Sequence, residues 1–417
     1  MEKERAVLVG LIWDDGRPDL DELAALAETA GAEVVERLVQ KRDRPDPAYF
    51  IGQGKTAFVR EKVKEVAADL VIFDEELTPV QERNLEEVFG VKTIDRTGLI
   101  LDIFAQRART KEARLQVELA QLTYLLPRLT GQGMVLSRLG GGIGTRGPGE
   151  TKLELDRRRI RQRMAHLRHA LAEVRAQRAL MRRPREKAGV ATVALVGYTN
   201  AGKSTLFNAL TAGGALVEDK LFATLDPTLR RLFLPGGIKA VLVDTVGFIR
   251  KLPHQLVAAF RATLEEVVEA DLLLHVLDVT APDLSAQAAA VHAVLMELGI
   301  GDRPTIPVLN KIDLLTPDEL PGYGRLFPGS VAVSARQGWG LSELKERVAA
   351  HFAARRQIYR FFVPFSALEI LSRLHAEGSI KGEEPRADGV EVMAELDPAL
   401  AERLKEYRSD RGVIPRP

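Results

Sequence analysis

The sequence predicts a multidomain α/β protein, and three observations predict it. An apolar strand pattern at 192–196 runs into the glycine-bearing octet Gly197-Tyr198-Thr199-Asn200-Ala201-Gly202-Lys203-Ser204, then into a helical run to residue 210. Residues 1–100 alternate apolar strands with amphipathic helices, the pattern of a parallel sheet covered by helices. Residues 101–187 change character and carry leucines at helical spacing. With 417 residues, 46% of them hydrophobic, the chain is expected to hold several packed cores. The expected domains are 1–100, 101–187, 188–355 and 356–417.

In the first region, Ala6-Val7-Leu8-Val9-Gly10-Leu11-Ile12-Trp13 reads as a strand. Residues 19–30 read as a helix, with Leu20, Leu23, Leu26 and Ala30 near helical spacing. Further strands are expected at 32–39 and 69–74. In the second region, Leu115, Leu119, Leu122 and Leu126 mark one helix. Leu153, Ile160, Met164, Leu167, Leu171 and Val174 lie at heptad seam spacing and mark another. Together they predict an antiparallel helical hairpin with arginines on its outer faces. Between them lies Leu139-Gly140-Gly141-Gly142-Ile143-Gly144-Thr145-Arg146-Gly147-Pro148-Gly149-Glu150, too rich in glycine to fold by itself. The last region, 356–417, predicts a small α/β domain with strands at 360–365 and 389–396.

Charge is unevenly spread. The net charge is +1, yet residues 138–187 carry 15 Lys/Arg against 5 Asp/Glu. Such a block favours a polyanion. The other reading is a solvated helix face. For the glycine-rich loop, with Arg138 and Arg146, the two readings are an RNA-contacting loop and a disordered hairpin tip.

The octet fits G-x-x-x-x-G-K-[ST], the phosphate-binding P-loop. Glycines let backbone N–H groups face a phosphate, Lys203 reaches the β and γ oxygens, and the Ser204 hydroxyl is a Mg²⁺ ligand. Asp244-Thr245-Val246-Gly247 follows the apolar run 240–243. A carboxylate there supports the metal shell, and the Gly247 N–H approaches the γ-phosphate with no Cβ in the way. Asn310-Lys311-Ile312-Asp313 follows the run 305–309. The Asp313 carboxylate accepts from guanine N1–H and the 2-amino group, a donor pair that adenine lacks, and Lys311 lies over the base. Ser334-Ala335-Arg336, after 331–333, supplies a backbone donor to the guanine O6. In this order and context, the motifs point to GTP binding.

Other features exclude or bound. There is no cysteine, so disulfides and thiolate metal sites are ruled out. The first residues are too short and too acidic for a signal peptide, and no apolar run approaches the ~18 residues that span a membrane. A soluble cytoplasmic protein is expected, monomeric when free. The seven histidines show no metal-ligand spacing, and His254, His275 and His351 read as surface or packing residues. Gly142–Gly147 matches G-x-G-x-x-G but has no buried strand before it. Gly52-Gln53-Gly54-Lys55-Thr56 resembles a P-loop end, but Tyr49 stands where glycine is required, so it reads as a turn before a helix.

These residues resemble the HflX-type GTPases, relatives of the Obg group. The resemblance rests on the octet, on Phe222-Ala223-Thr224-Leu225-Asp226-Pro227-Thr228, on Asp244-Thr245-Val246-Gly247-Phe248, on Asn310–Asp313, on the loop 140–150 and on 44–52. It covers essentially the whole chain. It implies a P-loop GTPase domain, an N-terminal parallel α/β domain with a helical hairpin, and a small C-terminal α/β domain. It further implies binding to the large ribosomal subunit and its rRNA through the basic hairpin, and a role in splitting or rescuing stalled or resting ribosomes under stress.

The resemblance assigns Thr224 as the switch threonine, which with Ser204 holds Mg²⁺. Lys203, Thr224 and Gly247 then form the catalytic set, and Phe222–Asp226 and Asp244–Gly247 flank the nucleotide. Where Ras-like enzymes carry a water-orienting Gln, this chain carries Phe248, so slow intrinsic hydrolysis is expected. Asn200 has two readings: a ligand of a K⁺ ion near the phosphates, or a residue that only shapes the loop. Two other functions remain: an RNA-remodelling NTPase with a second nucleotide in the N-terminal domain, and a nucleotide-gated scaffold for a protein partner.

Overall fold

The computed structural model describes residues 3–12, 20–129, 152–187, 190–211, 221–222, 224–251, 264–316, 318–396 and 398–409. The glycine-rich loop, with Arg138 and Arg146, and Ala223 lie outside the described residues. The chain forms two compact units. One comprises Met1–Ala176, Val217–Asp226 and Val246–Glu265; the other comprises Gln177–Leu216, Pro227–Thr245 and Glu266–Pro417.

In the first unit, β1 (Arg5–Ile12), β2 (Glu33–Lys41), β3 (Leu70–Phe73) and β4 (Lys92–Asp95) form an all-parallel sheet in the order β2-β1-β3-β4. β1 is central, so Ala6, Val7, Leu8 and Val9 are all fully buried and read as one apolar run. Parallel neighbours need crossovers, supplied by α1 (Asp21–Ala30), α2 (Gln53–Glu65) and α3 (Pro79–Phe89); α4 (Arg96–Arg107) follows β4. α1 packs with α4, and α2 with α3. Val59 and Val63 of α2 and Leu85 and Phe89 of α3 share a core with Val7, Val9, Val71 and Phe73. Phe50 meets Phe73 edge-on, with centroids 5.9 Å apart. α3 begins on a capping box between Thr78 and Gln81, with Pro79 in its first turn. The expected strands and first helix agree to within two residues. Gly52 is the N-cap of α2.

α5 (Lys111–Arg128) starts at Thr110, whose hydroxyl accepts the Ala113 N–H at 3.1 Å. It packs on α4 and α3. The helix marked by the leucines is present, but its buried face carries Glu112, Ala113, Gln116, Val117 and Ala120, while Leu115, Leu119, Leu122 and Leu126 are half-buried. Packing on α4 and α3 sets its rotation. Along α6 (Lys152–Lys187), Met164, Leu167 and Leu171 of the expected seam are buried and Ile160 and Val174 are half-buried, while the Leu153 side chain lies outside the described residues. Arg163 forms a two-pronged ion pair with Glu118 of α5, at 2.6 and 2.8 Å.

The end of α5 is locked by a half-buried polar cluster. Arg128 donates to Asp95 Oδ2 at 2.9 Å, Glu82 Oε2 at 2.6 Å and the Leu77 carbonyl at 2.9 Å. Its guanidinium stacks 3.4 Å from the Tyr124 ring centroid. The Tyr124 hydroxyl donates to Asp95 Oδ1 at 2.9 Å. Burial holds the Glu82 carboxyl above its usual range despite Arg128.

The second unit holds a six-stranded sheet in the order β10-β9-β8-β5-β7-β6. Its strands are β5 (Ala191–Gly197), β6 (Thr228–Phe233), β7 (Lys239–Asp244), β8 (Leu272–Asp278), β9 (Thr305–Asn310) and β10 (Val331–Ala332). All pairings are parallel except β6 with β7. α7 (Lys203–Thr211), α8 (Glu265–Val268), α9 (Leu284–Glu297), α10 (Leu320–Leu326) and α11 (Leu341–Arg355) connect or follow them. Val193, Leu195, Phe207, Leu242, Leu274, Val308 and Phe352 belong to its core. The motif loops all leave the carboxyl ends of strands, the usual ligand edge of such sheets.

The C-terminal part of this unit is an antiparallel sheet, β11-β13-β12, from β11 (Gln357–Pro364), β12 (Ser379–Arg386) and β13 (Gly389–Leu396). It carries α12 (Leu368–Glu377) and α13 (Pro398–Arg403). β12 is an edge strand whose polar sequence, Ser-Ile-Lys-Gly-Glu-Glu-Pro-Arg, gives no apolar signal. Among the described residues no helix is long and apolar enough to cross a membrane.

Candidate nucleotide site

The octet forms the turn between β5 and α7, and its geometry explains its glycines. Gly197 has φ +154°, and a Cβ there would stand 2.4 Å from the Val276 carbonyl oxygen. Gly202 has φ +89°, and a Cβ there would stand 2.3 Å from Asn310 Nδ2. Asn200 is left-handed, with φ 61°, a conformation that asparagine tolerates better than most residues. Tyr198, Thr199 and Ala201 are buried.

Lys203 is buried, and its ammonium donates to the Gly197 carbonyl at 3.0 Å and the Tyr198 carbonyl at 2.7 Å. Burial pushes its pKa down to about 8, opposed by the nearby Asp244 carboxylate. A phosphoryl oxygen is the natural counter-charge for such a group. The Ser204 hydroxyl donates to Asp244 Oδ2 at 2.7 Å. Thr245 anchors the end of β7 by donating to the Leu195 carbonyl at 2.6 Å. A hydroxyl and a carboxylate side by side are hard oxygen donors and fit Mg²⁺.

The base-side motifs converge on Asn310, which is 2% exposed. Its Nδ2 donates to the Ala201 carbonyl at 2.9 Å, and its Oδ1 accepts the Ala335 N–H at 3.0 Å. One side chain thus ties the phosphate loop to the 334–336 segment. The Ser334 N–H donates to the Trp339 carbonyl at 3.1 Å. Of this segment's backbone donors, only that of Arg336 has no protein acceptor among the described residues. Lys311 is left-handed, with φ 68°, and its ammonium donates to Asp278 Oδ2 at 2.6 Å. Asp313 follows in a short 3-10 turn, Ile312–Leu314, and is half-buried. No motif marks Asp278; the one available signal was a carboxylate closing the apolar run Leu-Leu-Leu-His-Val-Leu-Asp.

Phe222, Thr224, Leu225, Asp226, Val246, Gly247 and Phe248 belong to the first unit. Phe222 packs edge-on against Phe104 of α4, with centroids 4.7 Å apart. The Asp226 carboxylate accepts the backbone N–H and the hydroxyl of Thr110. Val246, Gly247 and Phe248 are buried. Just beyond them, the Arg250 carbonyl accepts from Arg96 at 3.1 Å. Lys251 pairs with Asp74 at 2.8 Å and with Glu75. Arg96 is itself buried, bonded to Asp74 at 2.7 Å and to Glu22. These charges gather where β3 and β4 end.

His275 lies mid-way along β8, with its Nε2 buried and lacking a hydrogen-bond partner. Burial, with Lys203 and His292 nearby, lowers its pKa to about 4. The histidine is therefore neutral at physiological pH, a packing residue as expected. No group of three or more His, Cys, Asp or Glu side chains is placed to hold a metal ion among the described residues.

A P-loop on a mostly parallel sheet, with a carboxylate beside its serine and an Asn-Lys-x-Asp turn bonded through Asn310 to its Ala201 carbonyl, defines a P-loop guanine-nucleotide hydrolase. Family models match in succession: "GTP-binding GTPase N-terminal" at 17–105, "GTP-binding GTPase Middle Region" at 107–185 and "50S ribosome-binding GTPase" at 192–311. GTPase HflX of Caldanaerobacter subterraneus subsp. tengcongensis is 51% identical, over 97% of this chain and 94% of that one. GTPase HflX of Escherichia coli is 46% identical, over 93% of this chain and 92% of that one. A solved GTP-binding protein from Sulfolobus solfataricus, in complex with GDP, aligns at 25% identity and TM-score 0.43 over 83% of this chain and 98% of that one. The chain belongs to the HflX family of GTPases.

Proposed function

We propose that this GTPase binds the large ribosomal subunit in the cytoplasm and uses GTP to split or rescue stalled and resting ribosomes under stress. The observation that carries this reading is the match of residues 192–311 to a model described as a 50S ribosome-binding GTPase. The basic segment supports it: Arg158, Arg159, Arg161, Arg163 and Arg168 of α6 are exposed. Exposed arginines along one helix suit the phosphates of rRNA.

At the nucleotide, Ser204 and Thr224 would hold Mg²⁺, with the Asp244 carboxylate beside Ser204 in support; the ion would supply positive charge at the β and γ phosphates. Lys203 and the loop amides stabilise the transferring phosphoryl group. Asp313 selects guanine, and the Arg336 N–H is the donor left for O6. Phe248 is buried and apolar, which supports slow basal turnover and its stimulation by the ribosome. The left-handed backbone of Asn200 supports the loop-shaping reading; a potassium role would add a dependence of turnover on K⁺ over Na⁺.

The test is sedimentation with purified large subunits. Binding with a non-hydrolysable GTP analogue and weaker binding with GDP are expected. Replacing Arg157, Arg158 and Arg159 with Gln should weaken binding and flatten its salt dependence by roughly 0.7–0.9 in log–log slope per lost phosphate contact. Equal failure to sediment with either nucleotide overturns the ribosomal reading.

A further inference from the structure

We propose that Asp278 is a positioning residue for guanine recognition and acts through Lys311. The proposal rests on the reading that Lys311 lies over the base. Asp278 closes β8, and its side chain is 15% exposed. Its two oxygens have separate duties. Oδ1 accepts the Thr280 N–H at 2.9 Å and the Thr280 hydroxyl at 2.6 Å. Oδ2 accepts the Lys311 ammonium at 2.6 Å.

The topology makes this pairing direct. Asp278 is the register partner of Asn310 across β8 and β9, so its carboxylate needs only to reach the next residue. Lys311 begins the turn that carries Asp313, in a left-handed conformation unusual for a residue with a Cβ. Its stem has four freely rotating bonds, and an unpinned lysine samples many directions. With the ammonium held by Asp278, and Asp278 held by Thr280, the methylene stem has one course. A side chain ordered before the ligand arrives spares that ordering on binding.

This role has a kinetic signature. The base is remote from the transferring phosphoryl group, so the contact is equally strong in ground and transition states. Its loss raises KM without changing kcat. A purely structural role for the Asp278–Thr280 turn would lower stability without this split and would not couple to Lys311.

The experiment measures GDP and GTP affinity by calorimetry, with steady-state turnover, for Asp278→Asn, Thr280→Val, Lys311→Ala and the Asp278→Asn/Lys311→Ala pair. Asp278→Asn should raise the dissociation constants of GDP and GTP alike by roughly three- to tenfold, the range one freed side chain costs. The kcat at saturating GTP should stay within about twofold. The double variant should bind no worse than Lys311→Ala alone. Thr280→Val should act in the same direction but less, and it keeps the test open should Asp278→Asn fail to fold. If Lys311→Ala weakens binding while Asp278→Asn and Thr280→Val do not, or if the losses add, the positioning role is overturned and the base-covering role of Lys311 stands. If Lys311→Ala binds GDP as tightly as the unaltered protein, both fall together.

Discussion

The carboxylate of Asp226 accepts both the backbone N–H and the hydroxyl of Thr110, at 3.1 and 2.5 Å. Thr110 is also the N-cap of α5, so the Phe222–Asp226 segment is fastened to the first turn of that helix. Phe222 secures the other end against Phe104. Thr224 lies between these two anchors. Asp226→Ala should therefore loosen the segment without weakening GDP, because the carboxylate is already engaged by Thr110. Amide exchange across 221–226 and at Thr110 should accelerate by an amount equivalent to about 1 kcal/mol, the usual net worth of such bonds. A tenfold drop in GDP affinity would instead show Asp226 acting at the nucleotide.

Base selection makes a second prediction. Asp313→Asn exchanges an acceptor for an amide and should move preference from guanine toward xanthine nucleotides. A site built on polar pairing rejects a mismatched partner strongly. Competition between GTP and XTP measures it; unchanged GTP affinity in Asp313→Asn would sink the assignment.

The Lys203 pKa of about 8 sets a pH dependence for the nucleotide-free protein. A bound triphosphate favours the ammonium and raises this pKa. Below about pH 8 the lysine is protonated with or without nucleotide, so affinity should be flat. Above it, binding must take up a proton, and affinity should fall by up to about tenfold per pH unit. Calorimetry at pH 7, 8 and 9 in buffers of different ionisation heat checks both the trend and the proton. Proton release on binding would contradict it.

His275 is expected to make the second unit sensitive to acid. Its folded pKa of about 4 lies below the ordinary value of 6.5, so the unfolded chain takes the proton first. Its contribution is whole above pH 6.5 and is lost progressively as pH falls toward 4, reaching about 3 kcal/mol. His275→Leu should flatten denaturation midpoints between pH 6.5 and 4. Parallel pH profiles for the two proteins would reject the buried, neutral histidine.

Much of the architecture is local and could be read from sequence. β1 and β5 are buried on both faces and announce themselves as apolar runs, and the octet states its own turn. The guanine loops were legible because each follows such a strand. What stayed hidden depends on partners remote in the chain. Asp278 meets Lys311, and nothing in either residue's neighbourhood specifies the other. Arg96 is buried, and the partners that make its burial tolerable, Asp74 and Glu22, lie far from it in the chain. In α5 the leucine periodicity marks the helix, but the buried face carries Glu112, Ala113, Gln116, Val117 and Ala120, which depends on packing against α4 and α3.

Arg128 gives the end of α5 a mechanical meaning. Its guanidinium is clasped by Asp95, Glu82 and the Leu77 carbonyl, so the backbone there cannot shift without breaking several charge-assisted bonds at once. A load applied at the C-terminal end of α5 therefore passes through Arg128 to Asp95, at the head of α4 and the rim of the sheet, instead of peeling the helix open turn by turn. The α/β layer serves that helix end as a handle.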